Sequence, residues 1–86
     1  MRYYFHLSSD FDSRDDVGVV LGDIDAAKCF AVQYMVDHLS RKPEVFWATE
    51  SCEVRVTDKA DLTLLVLSMI ATLSPLPQPR AGTALA

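Results

Sequence analysis

The stretch DIDAAKCFAVQYMVDHLS, residues 23–40, decides the fold, because no other segment carries a sustained helical period. With Ile24 at the start of a 3.6-residue spiral, Ile24, Ala27, Ala31, Tyr34, Met35 and His38 fall on one side, with Leu39 at its edge. This is a core-facing stripe, and its two alanines allow a neighbouring surface to approach closely. Asp23 is placed to accept hydrogen bonds from the free amides of the first turn, and Asp25 adds negative charge at the positive end of the dipole. Arg41 and Lys42 sit at the opposite end, and Pro43 disfavours helical geometry at Lys42. The spacing predicts a helix over about residues 23–41.

The same helix has too little polar surface. Cys29, Val32 and Val36 form a second apolar stripe rotated well away from the first, and Phe30 flanks the core stripe on its other side. A helix lying on one sheet of a monomer is expected to present a broad solvated face. Two explanations stand side by side: the three side chains are exposed or covered by the C-terminal segment, or they face a second copy of the chain.

Outward from the helix, the flanking segments read as strands. Arg2 to Leu7 alternates, with Tyr3, Phe5 and Leu7 on one face and Tyr4 and His6 on the other. Residues 8–16 are polar and acidic and read as a loop. Val17 to Leu21 reads as a second strand pairing back on the first, with Gly18 at a bulge or close approach. After Pro43 an irregular connection is expected, with Trp47 as a lid whose ring is buried on one end of the core. Cys52, Val54 and Val56 alternate with Glu53, Arg55 and Thr57, as in an antiparallel strand with one wet side. Leu62 onward is a strand as far as about Met69, although residues 65–73 also fit a short helix. The fold class is therefore α+β in β-β-α-β-β order, with the helix across one face of an antiparallel sheet. Such a sheet exposes an edge and the helix exposes its second stripe, and either is where a second copy would dock.

Eighty-six residues allow one domain, placed at residues 1–73, with a proline-rich tail over residues 74–86. The net charge of −4 resides entirely in residues 1–25, where Arg2 and Arg14 face six aspartates. No basic stripe is present, so nucleic acid is disfavoured as a partner. The longest apolar run, residues 62–73, is 12 residues long, against about 20 needed to span a bilayer. The N-terminal residues lack the apolar core of a signal peptide, so a cytoplasmic setting with Cys29 and Cys52 as free thiols is expected.

No constellation in the chain announces chemistry. If Asp10 opened a calcium loop, its fifth, sixth and twelfth positions would be Arg14, Asp15 and Leu21, and the pattern fails. His6, His38, Cys29 and Cys52 show no metal-ligand spacing, and no serine or cysteine sits in a nucleophile motif. The three glycines are isolated, so no phosphate loop exists and no cofactor is expected.

One set of residues is nonetheless familiar. Arg2-Tyr3-Tyr4-Phe5-His6-Leu7 is followed by Asp16-Val17-Gly18-Val19-Val20-Leu21, then Asp23 and Ala26-Ala27, then Val54-Arg55-Val56-Thr57-Asp58. Over residues 2–67 this resembles a family of small bacterial domains of unknown function that open with a similar aromatic strand. That family usually carries Gly in the last turn, where this chain has Ala60. The resemblance implies a fold and a bacterial origin, and it transfers no functional residue. A looser similarity is to the HicB-type antitoxin domain, which binds a small RNase partner. Three functional expectations follow: a non-enzymatic, homodimeric interaction module; an antitoxin-like regulator that meets a small basic protein through its acidic first third; or a ligand-binding or enzymatic domain with a pocket near His6, Tyr4 or His38.

Overall fold

The computed structural model describes residues 1–9 and 12–75. The elements run β1 (Arg2–Ser8), β2 (Asp12–Ser13), β3 (Val19–Val20), α1 (Ile24–Arg41), α2 (Pro43–Thr49), β4 (Ser51–Thr57) and β5 (Thr63–Ile70). All pairings are antiparallel, in the order β2-β1-β4-β5, with β3 also on β1. This is the expected α+β architecture, with one long helix on one face of the sheet. None of the described helices is long and apolar enough to cross a membrane.

The returning strand of the first hairpin is split in two. Leu7 pairs with Ser13, and Tyr3 pairs with Val19. Between them no strand residue reaches β1. Asp15 fills the gap instead, its Oδ2 accepting the Phe5 amide at 3.1 Å. The chain returns to β1 through Gly18 at φ +75°, where an added Cβ would lie 2.9 Å from the Tyr3 carbonyl oxygen and 2.8 Å from Arg2 Cγ. The close approach expected at Gly18 is present, and a side chain there would meet backbone.

The core lies between α1 and the face of the sheet formed by Tyr3, Phe5 and Leu7 of β1 and Cys52, Val54 and Val56 of β4, all buried. From α1, Ala27, Ala31 and Met35 are buried against it, and Phe30 and Tyr34 close on Phe5 with ring centroids 4.6 and 6.3 Å away. Ile24, expected on the core stripe, is exposed, because it lies in the first turn beyond the end of that face. Asp23 caps the helix as expected, its Oδ1 accepting the Ala26 amide at 2.8 Å.

Two expectations fail after Pro43. The connection is a helix, α2, with Pro43 in its first turn and Phe46 as its buried anchor. A proline's fixed φ suits the first helical turn, so the residue that ends α1 also begins α2. Trp47 is not a buried lid. It follows Phe46 by about 100° of helix, stands on edge to that ring at 5.2 Å, and leaves 54% of its surface exposed.

The final apolar run is a strand, paired with β4 from Ser51–Ile70 to Thr57–Thr63 with one irregularity at Val56/Thr57. The β4–β5 turn has its left-handed residue at Asp61, φ 66°, and not at Ala60. Alanine is therefore tolerated at that position. The tail expected over residues 74–86 lies outside the described residues except for Ser74 and Pro75.

Burial ranks the side chains for a stability test. In urea unfolding, Phe5→Ala should lower stability by about 3–5 kcal/mol, whereas Val17→Ala, at a side chain 74% exposed, should change it by no more than about 0.5 kcal/mol.

Candidate functional site

Two features stand out from the core: a polar cluster on the helix-free face of the sheet, and a bare apolar belt along β5 and one flank of α1. The cluster is built by register. His6 lies beside Arg55 across the β1–β4 ladder, and Tyr4 beside Thr57, so alternation turns all four away from α1. His6 is buried, with Nδ1 accepting the Asp15 amide at 3.1 Å and Nε2 lying 2.9 Å from Thr57 Oγ1. A ring nitrogen that accepts from an amide carries no proton, so Nε2 bears it and donates to Thr57. Asp61 Oδ1 lies 4.0 Å from Nε2 and is held by Arg14 at 3.3 Å and Arg55 at 3.7 Å.

The electrostatics keep this histidine neutral. Burial lowers its pKa, the Arg55 and Arg14 guanidinium groups lower it further, and Asp61 and Asp15 only partly oppose them. Burial pushes the Asp15 carboxyl up, but the amides of Gly18, Phe5 and Val17 outweigh it and hold the group below the ordinary carboxylate value. Asp15 is thus the organiser of the loop, bonding Val17 and Gly18 through Oδ1 as well as Phe5 through Oδ2.

Histidine beside a hydroxyl has the outline of a base–nucleophile pair, but the protonation is wrong for it. Nε2 gives its proton to Thr57 and cannot take one from it, and Thr57 is itself buried. An open cleft of about 400 Å³ runs past His6, lined also by Asp12, Arg14, Glu53 and Arg55. Its charges are of both signs, and both arginines are engaged with Asp61. A smaller cleft brings Tyr4 to the same histidine. His38 is not part of this cluster, since it is half-buried on α1, across the sheet from His6. Of the acidic loop, Asp12 accepts the Ser8 hydroxyl at 2.9 Å and Asp15 is consumed by backbone amides. Asp10 lies outside the described residues. Among the described residues, no three His, Cys, Asp or Glu side chains are placed to hold a metal. Both cysteines are free, Cys29 exposed and Cys52 buried, with burial raising the Cys52 thiol pKa.

The belt is the second feature. Cys29, Val32 and Val36 are exposed, the valines at 49% and 59%. Phe30 and Tyr34 turn toward Gly18 and Val19 on the β3 side. At 100° per residue Val32 lies on the other flank, toward β5, with Val36 and Cys29 beyond it. β5 is the edge strand, and its Val66, Met69 and Ile70 are exposed at 47%, 44% and 73%. The twelve-residue apolar run that signals this strand is plain in the sequence. Its position at an edge is not.

The neutral His6 gives the fold an acid-sensitive joint. Its folded pKa is below the ordinary 6.5, so below pH 6.5 the unfolded chain binds the proton more readily. Its contribution to stability should be complete above pH 6.5 and be lost as pH falls through the lowered folded value. Urea midpoints taken from pH 8 downward should show this slope, and His6→Gln should flatten it. Asp15→Ala leaves the Phe5, Val17 and Gly18 amides without their acceptor, and should cost about 1–3 kcal/mol at neutral pH.

No curated protein and no solved structure matches the chain. A family model does, over residues 2–71, spanning β1 through β5 and so both the His6 cluster and the belt. The chain belongs to the family described as Domain of unknown function (DUF6894).

Proposed function

We propose that this chain is a non-enzymatic, self-associating interaction module of the bacterial cytoplasm, working as a homodimer with Cys29, Val32 and Val36 on its partner-facing side. The observation that carries the reading is the edge strand β5, which exposes Val66 and Ile70 on one face and Met69 on the other; on α1, Val32 and Val36 are exposed as well. An exposed apolar strand at a sheet edge marks an interaction site.

The polar cluster supports the same reading from the other direction. Its histidine, threonine and carboxylates are bonded to one another or to backbone amides, as a structural joint requires. An antitoxin-like role would use the acidic first third, where Asp15 is taken up by backbone amides and Asp16 and Asp25 stay exposed; no specific observation favours that role over the edge strand.

Sedimentation velocity across low to high micromolar protein tests the proposal. A species of twice the chain mass is the expected result, with the fraction rising with concentration. A chain that remains monomeric across the whole range overturns it.

A further inference from the structure

We infer that the partner is a second copy of this chain, joined edge to edge through β5 so that the two sheets become one, with Ser68 on the two-fold axis. The inference rests on the proposed self-association and assigns its surface.

The two edges of the sheet are unlike. The β2/β3 edge is made of two-residue strands, and Asp12, Arg14, Asp15 and Asp16 surround it. Short strands and charges are what proteins use to stop strand addition. β5 has neither protection. It is eight residues long, and no charged residue occurs from Leu62 to Leu73. Apolar residues on both faces of one strand are the pattern of a strand covered on both sides and paired on both edges. Among the described residues, β5 is paired on one edge only.

The backbone fixes which groups are offered. The Ala71 amide donates to the Glu50 carbonyl at 2.9 Å, in register with the Ser51–Ile70 pair. Antiparallel ladders alternate, so Met69, Leu67 and Leu65 also bond toward β4, and Ile70, Ser68 and Val66 point their amides and carbonyls outward. Two identical strands match all three outward residues only when Ser68 faces its own copy. Val66 then lies opposite Ile70 of the second copy, and Leu67 opposite Met69. Each cross-strand pair is apolar with apolar, or serine with serine.

The self-matching register argues for a copy of this chain as the occupant, and charge does not oppose it. A chain of net charge −4 repels its own kind, but the acidic loop lies three strands from β5. At about 4.8 Å per strand it stands roughly 14 Å from the axis strand and roughly 34 Å from its counterpart in the joined sheet. Both exceed the screening length of about 8 Å at physiological salt. A two-fold perpendicular to the sheet keeps both α1 helices on one face, with their Val32 flanks turned toward each other across the paired β5 strands.

The test uses the full chain. Ser68→Pro removes an amide that β4 does not use, so the fold and its circular dichroism should be kept. By symmetry two central hydrogen bonds vanish, and self-association should weaken about tenfold or more. Val66→Lys should weaken it comparably. Adding Ile70→Glu to Val66→Lys should restore it, because those positions face each other only across the axis and lie four residues apart on one strand. Loss with each single variant and rescue by the double variant is the supporting result. Dimers unaffected by Ser68→Pro but dissociated by Val32→Ser with Val36→Ser would overturn the strand pairing and leave self-association standing. Slow amide exchange at Val66 and Ser68 in a concentration-independent monomer would show that the chain's own residues cover the edge, and would overturn both.

Discussion

Five consecutive pairs, from Tyr4–Thr57 to Ser8–Glu53, bind β1 to β4 across about fifty residues of chain, and the remainder of the structure leans on them. Each local hairpin buries little alone. Once β1 and β4 are adjacent, Phe5 with Val56 and Leu7 with Val54 form a continuous apolar floor, and α1 has something to cover. The small residues Ala27 and Ala31 let the helix come down on that floor until Phe30 and Tyr34 meet Phe5. Closing so long a loop is an entropic cost that burial on this floor offsets.

The same ladder sets the reverse face. Alternation that sends Phe5 inward sends His6 outward, next to Arg55 and within reach of Thr57. There a polar core of a second kind forms, in which Asp15 satisfies amides that an interrupted strand would leave open. His6 and Asp15 tie the acidic loop to the sheet. The joint requires His6 neutral and Asp15 charged; burial and the two arginines favour the first, and backbone amides favour the second against burial.

One edge of the sheet is closed by charge and by brevity, and the other is left as eight uncharged residues. That asymmetry gives the molecule a direction. On the acidic side Asp15 is taken up by backbone amides and Asp16 stays in water, and among the described residues the outer edge of β5 has no strand partner. Membership of the family gives no activity to weigh against this, so the physical surface is the strongest guide to function.

Alternation in residues 2–7 and 52–57, and the capped 3.6-residue spiral beginning at Asp23, were legible as soon as the chain was read, because each depends on neighbours a few residues apart. Gly18 was legible for the same reason: a lone glycine inside a β-branched run marks a close approach. α2 is not legible because a proline both stops and starts helices, and the exposure of Trp47 is hidden with it, since the direction of a side chain follows from the helix that carries it. The meeting of His6, Asp15 and Thr57 spans sequence separations of 9 and 51 residues, and no local pattern encodes it. The amino-acid order determined which segments are strands, where the long helix begins and which stripes of α1 are apolar. Only the tertiary structure decided that the most apolar strand lies at the rim, because strand order is set by long-range pairing and not by the composition of any one strand.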